Sequence, residues 1–157
     1  MRVRSREKQQ RASALLHALR SFRRLDPTDR LMLIEASILL GLARLAINML
    51  HFTSIAGRLG SAVAESRTTE ATEAAAISRR VRRAVQRAAA HLPWEFVCLP
   101  QAIAAKAMLR RRGVPATIYI GVVKQPALAA HAWVRAGDIV VTGERGSAQY
   151  TILTSFT

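Results

Sequence analysis

Cysteine is nearly absent from this sequence: Cys98 is the only one in 157 residues. A single cysteine cannot form an internal disulfide, so the fold does not need an oxidising compartment. One thiol and four scattered histidines also cannot supply the ligands of a thiolate zinc site, and we predict no bound metal. The basic N-terminus is not followed directly by an apolar run and a small-residue cleavage site, so the expected location is cytoplasmic.

Aromatic and acidic residues are also scarce. Aromatics make up 5 % of the chain and show no interleaving with basic residues of the kind found in base-stacking grooves. We therefore expect no nucleic-acid partner. The chain has ten acidic residues and 24 lysines and arginines, which gives a formal net charge of +14. Charge alone attracts any anionic partner, whether nucleic acid, anionic lipid, or an acidic peptide or protein, and it is the lack of aromatic interleaving that argues against nucleic acid.

What is present is enough apolar sequence for one core, since half of the residues are hydrophobic. Residues 1–24 are strongly basic and read as an amphipathic helix or tail. Residues 25–92 are predicted to be helical, and residues 93–157 combine one helix with strands. We expect 25–157 to form one domain.

Residues 31–50 are apolar enough to raise the question of a membrane span. They contain Glu35, Arg44 and Asn48, and a charge in the centre of a bilayer costs about 2.5–3.5 kcal/mol. A buried core helix, or a helix packed on a partner, is therefore favoured. Asp26 and Pro27 supply the cap and the first turn of this helix.

The C-terminal third has the pattern of an α+β fold. A helix is predicted over 98–112, ending at Gly113. Alternating and β-branched runs then predict about four antiparallel strands, with a tight turn in "RAGD". Those runs are 116–123, 128–134, 138–142 and 150–156.

Cys98 is predicted to open the helix of this region. Pro100 fits only the first turn of a helix, so Cys98 lies at or just before its N-terminus. Unpaired amides and the helix dipole favour an anion there, and hence a thiolate. His131 lies on a later strand that returns toward this end, with Trp133 on the same strand face. The alternative to an activated Cys–His pair is that both residues have only a structural role in the core.

These residues carry a family resemblance. "CLPQAIAAKAMLRRRGVPATIYIGV" followed by "AHAWVRAGDIVVTG" resembles the transglutaminase-like, papain-like cysteine protease domain of lasso peptide biosynthesis B proteins. The resemblance is close over about 93–157. "LDPTDRLMLIEASILLGLARLAINML" also looks like the helical region that precedes the core in this family. It implies N-terminal helices followed by a core in which a central helix packs on the antiparallel sheet.

The resemblance also implies an activity and partners. Such proteins remove the leader region of a ribosomally made precursor peptide, with Cys98 as the nucleophile and His131 as the general base and acid. Fused B proteins begin with a β-rich leader-binding domain, whereas the first ninety residues here look helical. The chain therefore resembles the peptidase half of a split B protein. A separate leader-recognition protein and an asparagine-synthetase-like lasso cyclase are the implied partners. No cofactor is expected in this chain, and a dependence of the maturation system on ATP stays open.

The family's third catalytic residue is an aspartate about a dozen positions after the histidine, where this chain has Gly143. Glu144 is our first choice for that role and Asp138 the alternative. A turn at Ala136–Gly137 would place His131 opposite Thr142, so a neutral orienting group such as Thr142 is a further option.

The remaining site candidates concern the oxyanion and the pocket. The backbone N–H of Cys98 is one expected oxyanion donor, and the second donor or the pocket wall would come from nearby polar and aromatic side chains. Two alternative functions stay open: other acyl transfer of the transglutaminase or amidase type on the same pair, and a non-enzymatic basic binding protein. The oxyanion and pocket candidates are Gln101, Trp94 and Trp133.

Overall fold

The computed structural model describes residues 22–49, 71–92, 98–124, 128–144 and 147–157. This part of the chain contains three α-helices followed by a four-stranded antiparallel sheet, which confirms the predicted α+β class. The helices are α1 (Pro27–Met49), α2 (Ala71–His91) and α3 (Cys98–Arg111). The strands are β1 (Thr117–Lys124), β2 (Leu128–Ala136), β3 (Ile139–Thr142) and β4 (Thr151–Phe156), and a 3₁₀ turn (Ser147–Gln149) precedes β4.

The chain divides into two compact units, Met1–Leu31 and Met32–Thr157. In the described part of the first unit, Asp26 caps α1: its Oδ1 accepts a hydrogen bond of 2.6 Å from the Asp29 amide. Pro27 takes the first helical position, where its missing N–H is no loss. The predicted basic helix or tail over 1–24 lies almost wholly outside the described residues.

Helix α3 ends in a Schellman motif that turns the chain toward the sheet. The Val114 amide donates to the Leu109 carbonyl at 3.0 Å, and the Gly113 amide donates to the Arg110 carbonyl at 3.1 Å. Gly113 has φ +67°, a conformation that glycine adopts without steric cost. Val114 and Leu109 are both buried in the core, so the turn is also held by packing.

The strand order is β3-β2-β1-β4, so β4 pairs with the edge of β1 and not with β3. In the β2–β3 pair, Ala136 lies opposite Ile139 and Val134 opposite Thr142, with a register shift between Val134 and Arg135. The prediction that His131 lies opposite Thr142 is therefore wrong. The turn consists of Gly137, which has φ +56°, and Asp138, one residue later than the predicted Ala136–Gly137. This later turn and the register shift together place Thr142 opposite Val134, three residues after His131.

The core of the second unit lies between the helices and the sheet. Strand β2 contributes Ala132, Val134 and Ala136 to it, and β1 contributes Ile118. Because side chains alternate along a strand, His131 and Trp133 face the other side of the sheet. The helical residues of this core include Ala36 and Leu40 from α1, Val81 and Val85 from α2, and Ala105, Met108 and Leu109 from α3.

Among the described helices, α1 is long and apolar enough to cross a membrane by length and composition, with a mean hydropathy of 1.7 in its most apolar window. One side of α1 is nevertheless built into the core through Ala36 and Leu40. Glu35 on this helix accepts hydrogen bonds from Arg111 at 3.0 Å and from Arg112 at 2.6 Å. Helix α1 is thus apolar enough for a span, packs on the core along one side, and exposes large apolar side chains such as Ile38 and Leu42 on the other.

Candidate active site

Cys98 is the first residue of α3, as predicted from Pro100. Pro100 is buried in the first turn, where proline is tolerated. The Cys98 side chain is partly buried against the hydrophobic core, and the thiol is free. A thiol at this place is adjacent to amide N–H groups that have no acceptor inside the helix.

The His131 ring is held by a backbone carbonyl. Its Nε2 lies 2.8 Å from the carbonyl oxygen of Gly143. A carbonyl oxygen only accepts hydrogen bonds, so Nε2 must carry the proton and donate. In a neutral imidazole the other nitrogen, Nδ1, then has the free lone pair. The contact therefore fixes the tautomer in which Nδ1 is the base.

Aromatic rings complete the surroundings of His131. The ring centroid of Trp133 lies 6.0 Å from that of His131 in a stacked arrangement, and the Tyr150 ring lies 5.0 Å away and is tilted. Tyr119, opposite Trp133 on β1, stacks on the indole with a centroid separation of 5.6 Å. The imidazole thus lies in an aromatic cluster formed by Tyr119, His131, Trp133 and Tyr150.

Cys98 and His131 lie on elements that contact each other, α3 and β2. His131 pairs with Gly121, four residues into β1, or about 13 Å from the strand start. His131 faces the side of the sheet opposite the core, whereas Cys98 packs against that core. Among the described residues, no hydrogen bond joins the thiol and the ring. The thiol packs toward the core, and the imidazole faces the aromatic cluster.

The candidates for the third residue are placed differently. The Glu144 carboxylate forms a salt bridge with Arg82 of α2, and His131 is bound by the neighbouring carbonyl of Gly143. Asp138 lies exposed in the β2–β3 turn, at the far end of the hairpin from His131. The Thr142 hydroxyl is buried and has no hydrogen-bond partner among the described residues.

Of the oxyanion and pocket candidates, Gln101 lies partly buried in the first turns of α3. Trp133 is buried and belongs to the aromatic cluster. Trp94 lies outside the described residues. Within the described ranges, no group of three or more His, Cys, Asp or Glu side chains is placed to hold a metal ion.

Sequence reasoning missed several residues that position His131. The two tyrosines of the cluster carry no motif, and their proximity depends on strand pairing. The sequence pointed to Gly143 as the position where the expected acid is missing. A hydrogen bond from His131 to the Gly143 carbonyl cannot be predicted from the pattern of side chains. Arg82 lies 62 residues from Glu144, and nothing in the local sequence links them.

A family model described as the Transglutaminase-like superfamily matches residues 37–155. The match covers most of the chain and includes Cys98, His131 and Gly143, and the chain belongs to this superfamily. Its members include cysteine proteases and acyltransferases and are commonly cysteine-dependent enzymes. No curated protein and no solved structure gives a significant match.

Proposed function

We propose that this chain is a cysteine peptidase that removes the leader peptide from a ribosomally synthesised lasso peptide precursor. Membership of the transglutaminase-like superfamily supports a thiol-based acyl chemistry. The observation that carries the proposal is the hydrogen bond from His131 Nε2 to the Gly143 carbonyl, because it leaves Nδ1 as a base. The peptidase specialisation rests on the resemblance of the Cys98 and His131 segments to lasso B proteins.

The reaction proceeds by covalent catalysis. His131 Nδ1 accepts the Cys98 proton, and the thiolate attacks the carbonyl carbon at the leader–core junction. The oxyanion accepts a hydrogen bond from the Cys98 amide and from one further donor, for which Gln101 is our candidate. The imidazolium protonates the leaving amine of the core peptide, which leaves the leader as a thioester on Cys98. Water then attacks the thioester, returns a proton to the thiol and releases the leader acid.

Formation of the reactive pair requires the Cys98 and His131 side chains to approach each other when substrate binds. Catalytic hydrogen bonds are often long before the substrate is present and tighten in the complex. Cys98 packs on the core side of the sheet and His131 faces the opposite side, so the approach requires a movement of the segments that hold the two side chains. The pair forms in a minor population of the free protein, and binding of the precursor at this site increases that population.

The proposed partners follow from the peptidase role. A separate leader-recognition protein presents the precursor, and a lasso cyclase consumes the freed core peptide in the cytoplasm. A net charge of +14 suits docking of an acidic leader or an acidic partner surface. No cofactor of the chain itself takes part in the steps above.

The test is cleavage of the precursor by purified protein, read by mass spectrometry. Folded Cys98→Ala and His131→Ala variants are expected to lose the two cleavage products, and an Arg83→Gln variant on the exposed side of α2 serves as the matched control. Cleavage by either folded variant contradicts the scheme. A single product that has lost ammonia would instead assign the pair to transglutaminase-type acyl transfer.

A further inference from the structure

The segment after β3 places a backbone carbonyl where a carboxylate is expected from the resemblance. Gly143 lies 12 residues after His131, and its carbonyl oxygen binds His131 Nε2 at 2.8 Å. A carbonyl fixes the ring orientation and tautomer as a carboxylate would, but without a negative charge. This arrangement does not need an acidic side chain at that position.

Gly143 is suited to this role because no side chain fits there. Its φ is +72°, in the left-handed region. A Cβ atom on Gly143 would lie 2.5 Å from the Ala132 carbonyl oxygen and 2.8 Å from Trp133 Cβ. The close approach of this backbone to β2 is what brings the carbonyl to the imidazole. A larger residue would push the segment away from β2 or change its conformation.

Arg82 of α2 holds this segment on both sides of Gly143. One guanidinium nitrogen donates to the Val140 carbonyl at 3.0 Å, and another forms the salt bridge with Glu144. The guanidinium is a planar fork that makes both contacts at once. Helix α2 also packs directly on β3. The salt bridge of the Glu144 carboxylate with Arg82 therefore holds the backbone around Gly143 against α2.

The geometry points to Gly143 and Arg82 as positioning residues for His131: Arg82 anchors the end of β3, and the Gly143 carbonyl then fixes His131 as the Nε2–H tautomer. Glu144 acts as the anchor point for Arg82 and does not contact the imidazole. This inference rests on the proposed function for its catalytic meaning, but the tautomer itself is a property of the free protein.

The direct test is the ring ¹⁵N spectrum of His131 above pH 7.5, with histidine-labelled protein assigned by a His131→Gln variant. We expect the neutral Nε2–H tautomer in the unmodified protein. Arg82→Gln and Gly143→Ala should shift His131 toward a mixture of tautomers, Arg82→Lys should restore part of the order, and Arg83→Gln should change nothing. An Nδ1–H tautomer in the unmodified protein overturns the inference, and so does an unchanged spectrum in folded Arg82→Gln.

Cys98 is the only cysteine, so iodoacetamide uptake by the whole protein reports on this thiol alone. If His131 activates Cys98, alkylation near neutral pH should slow at least about tenfold in His131→Ala and also fall in Arg82→Gln. Glu144→Gln keeps a side-chain acceptor for Arg82 but loses the charge, so alkylation should fall by no more than it does in Arg82→Gln. A full loss of reactivity in Glu144→Gln with the tautomer unchanged would give Glu144 a catalytic role and overturn its assignment as an anchor.

The two readouts separate the inference from the proposed function. A tautomer that depends on Arg82, together with alkylation that is indifferent to His131, would leave the positioning of the ring in place and remove the peptidase scheme. Alkylation that depends on His131, with a tautomer independent of both Arg82 and Gly143, would support the peptidase scheme and overturn the positioning of the ring by Arg82 and Gly143. Circular dichroism and thermal unfolding of each variant exclude global unfolding as the cause.

Discussion

At the scale of single residues, the aromatic cluster depends on a glycine in the middle of a strand. Gly121 pairs with His131 on β2 and is buried beneath the Trp133 ring. A Cβ atom there would lie 2.9 Å from the Thr151 carbonyl oxygen and 3.0 Å from both Trp133 Cη2 and Tyr150 Cβ. Glycine in a strand interior often marks such a close approach. Here the missing side chain of Gly121 leaves room for the Trp133 ring to lie over β1, next to the imidazole.

Replacing Gly121 with alanine should therefore be destabilising. We expect Gly121→Ala to lower the free energy of unfolding by about 1–3 kcal/mol, because the Thr151 carbonyl, the Trp133 ring and the Tyr150 side chain must move. The matched control is Gly41→Ala in α1, where a Cβ meets nothing within 4 Å and helix propensity favours alanine by up to about 1 kcal/mol. Urea titrations followed by tryptophan fluorescence measure both. Equal stability of the two variants would contradict the crowding at Gly121.

The Thr142 hydroxyl offers a second test at this scale. The residue is 2 % exposed and its oxygen has no partner among the described residues. Thr142→Val keeps the shape and removes the desolvated hydroxyl, so stability should be unchanged or rise by about 1 kcal/mol. Ser78→Ala is the comparison, because the Ser78 hydroxyl bonds the Ala74 carbonyl at 2.7 Å. A loss of more than about 1 kcal/mol in Thr142→Val would indicate that the hydroxyl has a partner in the folded protein.

At the scale of elements, α1 has two unlike sides. Leu40 is fully buried in the core, whereas Leu42, two residues further along, is 55 % exposed. Leu40→Ala should cost about 2–5 kcal/mol through lost burial and a cavity. Leu42→Ala should change stability by no more than about 0.5 kcal/mol. Thermal unfolding in detergent-free buffer measures both, and equal sensitivity of the two positions would contradict the packing of only one side of α1 in the core.

The Glu35 contacts tie α1 to the end of α3 and make stability depend on pH. Burial by itself would raise the pKa of the Glu35 carboxyl, but hydrogen bonds from Arg112 and Arg111 outweigh this and leave the pKa below its ordinary value of 4.5. A lowered folded-state pKa stabilises the fold above pH 4.5, and that contribution is lost as the pH falls further. Glu35→Gln should therefore be less stable than the unmodified protein at pH 7. The difference should narrow as the pH falls below about 4.5. A constant difference in the midpoint of urea unfolding from pH 7 to 3 would contradict this.

The elements themselves could be predicted because their signals are local. Pro100 and Gly113 mark the two ends of α3, and β-branched alternation marks the strands to within one or two residues. Strand order and register could not be predicted, because the pairing of β4 with β1 and the shift at Val134/Arg135 arise from packing between distant segments. The register determines which backbone atom contacts His131, so the Gly143 contact could not be predicted either. The Cys98–His131 combination could be recognised from the sequence alone.

At the scale of the whole molecule, the excess of positive charge opposes the compact state. The chain carries 24 lysines and arginines against 10 acidic residues. Glu35 and Glu144 are already shared with Arg111, Arg112 and Arg82 in the described part of the chain. Exposed arginines along α2 add like charges on one helix, which include Arg79, Arg83 and Arg87. Net self-repulsion of this kind weakens with salt, as the Debye length falls from about 30 Å at 0.01 M to about 10 Å at 0.1 M.

We therefore expect the Tm to rise by a few degrees between 0.01 M and 0.2 M sodium chloride, because screening relieves repulsion more than it weakens the exposed ion pairs. Glu144→Gln raises the formal net charge from +14 to +15 and removes one exposed pair. This variant should start from a lower Tm in low salt and gain at least as much as the unmodified protein when salt is added. A Tm that falls with salt would mean that the ion pairs of Glu35 and Glu144 contribute more than the repulsion. Scanning calorimetry in a buffer of fixed pH distinguishes the two outcomes, and chloride is preferred to sulfate because sulfate also strengthens apolar burial.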